Sequence, residues 1–144
     1  MLLSKQIAVS VNLAACRLKQ YTAAMLRRQQ VGLTPEQFLL LDLLWNEGPM
    51  SQQTMADTMG KDKNSITKLV NGLERKELLV RKRDKNDRRS NILMLTPKAK
   101  AMKTQTKEKG IAILDHIVDG ISEEELTSFL QTLGKLTKNM EGEK

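Results

Sequence analysis

The sequence predicts a mainly α-helical fold with one small β-hairpin. Residues 3–30 contain neither proline nor glycine and repeat apolar side chains at steps of four and three, which is typical of a long amphipathic helix. Three capping sequences then open further helices before residue 79. Between residues 79 and 95 the pattern changes to two short apolar runs around a polar stretch, as in a hairpin. The predicted order is four helices, two strands and two helices.

The first helix carries a heptad seam on one face. Its members are Ile7, Val11, Ala14, Leu18, Tyr21 and Met25. Val31-Gly32 ends the helix.

The second and third predicted helices have strong start and stop signals. Thr34 can cap the second helix, with Pro35 at its first position and Gln37 completing a capping box. Gly48-Pro49 ends that helix. Ser51 caps the short third helix, which Gly60 ends.

The fourth helix runs from about residue 62 to 76 with Asp62 as its cap, and it has two distinct faces. Its buried stripe is Ile66, Leu69, Val70 and Leu73. Its opposite face carries Lys63, Asn64, Thr67, Lys68, Asn71 and Arg75. The strands follow as residues 79–83 and 91–95, and the second, third and fourth helices with this hairpin predict a winged-helix unit at residues 33–96.

The last two predicted helices lie outside that unit, as does the first. Thr96 and Pro97 open the fifth, which Gly120 ends, and Ser122 with Glu125 forms a capping box for the sixth. Each of the three outer helices has an apolar stripe without a partner in the winged unit. A second copy of the chain can cover these stripes, so residues 1–32 and 97–144 are predicted to form a homodimer.

Positive charge is concentrated in the helix and hairpin. The 144-residue chain has a net charge of +7, and residues 61–91 hold eleven Lys or Arg against five Asp or Glu. Such a patch favours a polyanionic partner, and a helix followed by a basic hairpin favours double-stranded DNA.

Composition limits the other classes. No apolar run approaches the length of a membrane span, so no membrane association is expected. The one cysteine excludes an intrachain disulfide and fits a cytoplasmic location. Leu13-Ala14-Ala15-Cys16 is similar to a lipoprotein processing site, but polar residues interrupt the apolar stretch that a signal peptide needs.

Reading duplex DNA requires side chains on base edges and cations or polar groups on phosphates. The predicted base readers are Asn64, Thr67, Lys68 and Asn71, because Asn suits adenine, Lys suits guanine and a Thr methyl suits thymine. The predicted backbone contacts are Ser51, Gln53, Lys63 and Arg75. Positive charge on the hairpin comes from Arg81, Lys82, Arg83, Lys85, Arg88 and Arg89.

The hairpin also carries a motif. The run Asp87-Arg88-Arg89-Ser90-Asn91-Ile92-Leu93-Met94-Leu95-Thr96 resembles the D-x-R-x-x-x-x-x-L-T wing signature of the MarR family of transcription regulators. The start of the second helix, Leu33-Thr34-Pro35-Glu36-Gln37-Phe38, and the segment Ser65-Ile66-Thr67-Lys68-Leu69-Val70 are also similar to that family.

The resemblance implies a dimeric winged-helix regulator, usually a repressor, whose dimer is formed by the first, fifth and sixth helices. It implies that Arg89 enters a minor groove and that Asp87 braces the wing by a salt bridge or hydrogen bond. It also implies release from DNA by a small, often phenolic, ligand. Tyr21, Met25, Trp45 and Met94 are the candidate lining of such a ligand site.

Two residues depart from the family pattern. Glu77 stands where the family usually has glycine after the fourth helix, so either the left-handed conformation is kept at a cost of up to about 1–2 kcal/mol or the turn is built differently. Gly72 lies inside the fourth helix, where it allows close approach to the third helix or to DNA, or is simply tolerated.

The residues leave alternative functions open. A redox regulator acting through Cys16 is one, although a small packed residue at the dimer seam suits Cys16 better. A winged helix that binds only protein is another. Zinc binding through His116 lacks enough ligands, and no phosphate loop, nucleophile elbow or His-based dyad predicts an enzyme or a cofactor.

Overall fold

The computed structural model describes residues 2–87 and 89–142. Its elements in order are α1 (Leu3–Arg28), α2 (Pro35–Glu47), β1 (Met50–Ser51), α3 (Gln52–Met59), α4 (Lys63–Arg75), β2 (Leu79–Arg83), β3 (Asn91–Leu95), α5 (Pro97–Ala101), α6 (Lys103–Ile117) and α7 (Glu123–Glu141). The predicted mainly helical fold with a small hairpin is confirmed. Two features were not predicted, namely strand β1 and the division of the fifth helix into α5 and α6.

The predicted helix starts are confirmed by their caps. Thr34 Oγ1 accepts from the Gln37 N–H and Gln37 Oε1 accepts from the Thr34 N–H, both at 3.1 Å, which completes a capping box. Ser51, Asp62 and Thr96 cap α3, α4 and α5 through the N–H three residues later. Only the box at α7 is incomplete, because the Glu125 carboxylate accepts from the Ser122 hydroxyl.

The sheet has three antiparallel strands in the order β1-β3-β2. Leu79 pairs with Leu95 and Arg83 with Asn91, which fixes the hairpin register. On its other edge, β3 pairs with the two residues of β1, with Ser51 opposite Ile92. The wing, residues 79–95, is therefore hydrogen-bonded to the segment that leads directly into α3.

The fifth predicted helix breaks at Met102 (φ −87°, ψ −4°). The carbonyl of Ala99, which a continuous helix would pair with the N–H of Lys103, accepts from Trp45 Nε1 at 3.1 Å. At the point where α5 ends, this buried bond takes the place of a backbone hydrogen bond of the helix. It also ties α2 to α5.

One hydrophobic core lies between α2, α3, α4 and the sheet. Its fully buried side chains include Leu40, Leu41, Leu44, Met55, Ile66, Val70, Leu73, Leu79 and Leu93. Each such side chain contributes about 1.5–3 kcal/mol relative to exposure. Helix α6 packs closely on this unit at Gly110, where an added Cβ would lie 2.3 Å from Phe38 Cζ.

The outer helices contribute little to the core. Helix α1 buries Leu26, and α7 buries none of its nineteen residues, all of which are described. Large apolar side chains on these helices are exposed, among them Leu3, Leu18, Ile111, Phe129 and Leu130. Within the described ranges, no helix is long and apolar enough to cross a membrane.

The two departures from the family pattern have definite structures. Of the two alternatives at Glu77, the structure has the strained one, because Glu77 keeps the left-handed conformation at φ 62°. Its N–H donates to the Glu74 carbonyl and the Leu78 N–H to that of Leu73, which forms a Schellman motif at the end of α4. Gly72 approaches Gln37 of α2 rather than α3, because an added Cβ would lie 2.9 Å from Gln37 Nε2.

Candidate nucleic-acid interface

The outward face of α4 presents four of its predicted contacts. Lys63, Asn64, Lys68 and Arg75 are exposed, while Ile66, Val70 and Leu73 on the other side are fully buried. Asp62 caps the N-terminus, and the hydrogen bond from the Ser65 N–H lowers the pKa of the Asp62 carboxyl below its ordinary value. The buried stripe and the cap thus hold α4 so that its polar face is turned to solvent.

Thr67 lies at the edge of this face with its hydroxyl already bonded. Thr67 Oγ1 donates to the Lys63 carbonyl at 2.9 Å and accepts from Gln52 Nε2 at 2.8 Å. Gln52 Oε1 is buried without a hydrogen-bond partner among the described residues. A thymine methyl therefore suits Thr67 better than a hydrogen-bonding base edge, because no hydroxyl bond has to break.

Asn71 is joined to the wing. Arg81 Nη2 donates to Asn71 Oδ1 at 2.6 Å and to Glu74 Oε1 at 2.5 Å. Bidentate reading of adenine needs the Asn oxygen as an acceptor, so it would require Asn71 to exchange this bond. The sequence did not single out Arg81 and Glu74 as a pair.

The N-terminus of α3 lies beside α4 and the wing. Ser51 Oγ accepts from the Thr54 N–H at 3.0 Å, and Gln53 is exposed with Nε2 donating to Asp57 Oδ1 at 3.0 Å. A cleft of about 270 Å³ separates the three elements. It is lined by Gln52, Gln53, Ala56, Lys63, Asp87, Arg89, Ser90 and Asn91.

The wing loop is shaped by two aspartates. Asp84 Oδ1 accepts from the Asn86 N–H at 2.9 Å, and Asp87 Oδ1 accepts from the Arg89 N–H at 3.0 Å. Asp87 thus bonds to the backbone of the residue expected to enter the minor groove. Arg83, Lys85 and Arg89 are exposed, and Arg88 lies outside the described residues.

A second charged group anchors the start of α4, and the sequence did not predict it. Glu36 at the N-terminus of α2 bonds Lys19 of α1 at 2.8 Å and Lys61 at 2.6 Å. Hydrogen bonds from Lys19 and then Lys61 lower the pKa of the Glu36 carboxyl. At the other end of α4, Lys76 Nζ donates to Gln37 Oε1 at 2.7 Å.

The four candidate ligand-site residues do not share one cavity. Trp45 and Met94 line a cleft of about 230 Å³, and Lys100 and Lys103 also line it. Tyr21 lines a different cleft on α1 and α6. Its ring stacks on that of His116 with 6.2 Å between the ring centroids, and its hydroxyl donates to the Ile113 carbonyl at 3.2 Å. Met25 is partly buried.

The sequence also raised a metal site and a reactive thiol. No group of three His, Cys, Asp or Glu that could hold a metal occurs within residues 2–87 and 89–142. Cys16 is an exposed free thiol on α1.

A helix with exposed amide and cationic side chains beside a cationic β-hairpin defines a winged-helix DNA-binding protein. The family model described as MarR family matches residues 33–90. The HTH-type transcriptional regulator MhqR of Bacillus subtilis (strain 168) is 32% identical over 108 residues, which is 75% of this chain and 74% of that protein. The HTH-type transcriptional regulator MgrA of Staphylococcus aureus is 23% identical over 134 residues, which is 93% of this chain and 89% of that protein.

The folds also agree. The transcriptional repressor CouR, solved bound to a 23-mer DNA duplex, is similar with a TM-score of 0.81 and 28% identity, over 94% of each chain. This chain belongs to the MarR family and is a DNA-binding transcription regulator. The predicted family and function class are confirmed.

Proposed function

We propose that the chain acts in the cytoplasm as a homodimeric repressor that binds a pseudopalindromic operator and is released by a small aromatic or phenolic ligand. Residues 33–96 are the DNA-binding part, and residues 1–32 with 97–144 are the dimerisation part. The observation that carries the proposal is the exposed row Lys63, Asn64 and Lys68 on α4 beside the cationic wing. The DNA-bound repressor CouR supports the same interpretation.

The side chains divide by the groups they can reach. Asn64 and Lys68 are exposed and read base edges. Thr67 offers its methyl group, because its hydroxyl is already bonded. Asn71 offers its Nδ2 amide, because its Oδ1 accepts from Arg81. Ser51, Gln53, Lys63 and Arg75 hold the phosphate backbone. Arg89 enters the minor groove. Arg83, Lys85 and Arg88 support it with positive charge that meets phosphate, and Asp87 braces the wing.

The dimer is supported by the apolar surface of the outer helices. Phe129 and Leu130 on α7 are 60% and 66% exposed, and α7 buries none of its described residues. A surface of this kind is a binding site for another chain, and a second copy offers the same helices. Two copies then place their α4 helices in major grooves about one DNA turn apart.

Selection of duplexes from a random-sequence library tests the operator. Repeated rounds of binding should enrich two inverted half-sites whose centres lie about 10 base pairs apart. Affinity for the selected duplex should fall with salt at a slope of several units, because Lys and Arg release counterions. Enrichment of no sequence, with no salt dependence, would contradict the proposal.

Substitution of Leu130→Asp tests the dimer. The buried carboxylate should turn the dimer into monomers in sedimentation and should abolish tight operator binding, because each monomer holds one half-site. Ser128→Asp on the opposite side of α7 is the matched control and should remain dimeric. A Leu130→Asp protein that is still dimeric would remove α7 from the interface.

The ligand site is proposed at the cleft of Trp45 and Met94. Its mostly apolar lining, together with the two lysines, suits a single aromatic ring that carries a phenolate or carboxylate. A thermal-shift screen of phenols and benzoates should find compounds that stabilise the protein and release the selected duplex. Stabilisation that persists unchanged in Met94→Ala would point to the separate Tyr21 cleft.

A further inference from the structure

The hydrogen bonds of Arg81 assign it a role different from that of the other wing cations. We propose that Arg81 is a positioning residue that fixes the wing on α4 through Glu74 and Asn71, and that it does not contact DNA phosphate. These three side chains are called the Arg81 bridge. The proposal rests on the proposed function, because its purpose is the simultaneous contact of α4 and wing with one operator.

A single nitrogen atom makes the bridge. Arg81 Nη2 donates both to Asn71 Oδ1 at 2.6 Å and to Glu74 Oε1 at 2.5 Å, so both protons of this nitrogen point into the protein. The side chains of Arg81 and Glu74 are 28% and 30% exposed. The neighbours Lys82 and Arg83 are exposed, as expected for cations that meet solvent or phosphate.

The position of Arg81 on β2 explains its direction. Alternate residues of a strand point to the same side, so Arg81 shares a side with Leu79, which is buried in the core. On α4, Asn71 and Glu74 are three residues apart and therefore lie on one face. The bridge thus joins the middle of β2 to the last turns of the reading helix.

The bridge has a cost that a positioning role explains. Glu74 places a carboxylate beside the surface that binds a polyanion, and Asn71 gives up the acceptor that it would need for adenine. In return, the wing is held at one angle to α4. Arg89 and the base readers Asn64 and Lys68 are then preorganised to meet adjacent grooves together, which reduces the entropy lost on binding.

The isosteric change Glu74→Gln gives opposite expectations for the two roles. If Glu74 acts only through its charge, its neutralisation strengthens binding to DNA. If it holds Arg81, the same change weakens binding by about three-fold, which is the size of effect expected from a partly exposed ion pair. Affinity is measured by fluorescence anisotropy with the duplex selected by the wild-type protein.

Glu77→Gln is the matched control. Glu77 is exposed, lies three residues further on and makes no ion pair among the described residues, so its neutralisation should leave binding equal or stronger. Glu74→Gln binding as tightly as Glu77→Gln would overturn the proposal.

Salt dependence tests Arg81 itself. A phosphate contact contributes about 0.9 to the slope of log K against log salt, whereas a positioning residue contributes nothing to it. Arg81→Gln should therefore weaken binding with an unchanged slope, while Arg83→Gln should lower the slope by about one. The double variant Arg81→Gln with Glu74→Gln should bind like Arg81→Gln alone, because the bond to Glu74 is already lost in that variant. A reduced slope for Arg81→Gln would overturn the proposal.

Hydrogen exchange without DNA separates this proposal from the proposed function. Peptides covering residues 79–95 should exchange faster in Glu74→Gln and Arg81→Gln than in wild type, whereas peptides of α1 should not change. Unchanged exchange at 79–95 would refute the bridge even if operator binding is intact. Faster exchange in a protein that selects no operator would leave the bridge standing and refute the function instead.

Discussion

Replacement of Glu77 by glycine should stabilise the protein. Glu77 follows the end of α4 at φ 62°, the left-handed region that costs a residue with a Cβ about 1–2 kcal/mol. Its side chain is exposed and makes no ion pair among the described residues. Its carbonyl accepts from Thr96 Oγ1 at 2.7 Å, and glycine keeps this bond because it involves only the backbone of residue 77.

The expected gain is smaller than the full strain. Glycine gives the unfolded chain more conformational freedom, which takes back about 0.4–1 kcal/mol. The net increase in the free energy of unfolding is therefore about 0.5–1 kcal/mol. For a chain of this length that corresponds to a rise of about 2–4 °C in Tm.

Urea and thermal unfolding at one fixed chain concentration measure the effect, since dimerisation would make stability depend on concentration. Glu77→Gln removes the charge but keeps the Cβ and its backbone strain, so this variant should not be more stable than wild type. Gln30→Gly repeats the test at φ 55°, and Gly60→Ala reverses it at φ 64°, where an added Cβ meets nothing described within 4 Å. A Glu77→Gly protein no more stable than Glu77→Gln would refute the reasoning.

Three further predictions concern packing, pH and DNA. Gly110→Ala should destabilise the fold by about 1–3 kcal/mol in urea unfolding, because the added Cβ overlaps the Phe38 ring, which must move. Two lysines lower the pKa of Glu36 from its ordinary value of 4.5, so its contribution to stability is present above that pH and is lost as pH falls through the folded value. Glu36→Gln should therefore flatten the decline of Tm below pH 4.5, and an unchanged profile would exclude this ion pair. Arg89→Ala should weaken operator binding about ten-fold while sedimentation still gives a dimer, and wild-type affinity would remove Arg89 from the minor groove.

Features set by a few neighbouring residues could be predicted from the sequence. The caps at Thr34, Asp62 and Thr96 depend on an N–H only three residues away, so the local pattern contains the whole interaction. The outward face of α4 follows from the helical period, because a buried stripe on one side turns Asn64 and Lys68 to the other.

Features that depend on distant partners could not be predicted. Strand β1 is two residues long and exists only because Met50 pairs with Leu93 of β3. The carboxylate of Glu36 meets its lysines through the approach of α1 and of the loop before α4, and no local pattern encodes that approach. The apolar character of Tyr21 and Trp45 suggests a shared ligand site, but the fold places them in separate clefts.

The short pairing of β1 with β3 also affects how sharply a dimer of this chain discriminates among DNA sites with different half-site spacing. Because Ser51 caps α3 and pairs with Ile92, the wing and the start of α3 move together. Each half of the dimer then meets DNA as one solid body and has little freedom to adjust a single contact. Insertion of one base pair between half-sites displaces them by about 3.4 Å along the DNA axis and rotates them by about a tenth of a turn. A solid body of this kind must miss several contacts at once, so operators should be sorted by spacing as sharply as by base sequence.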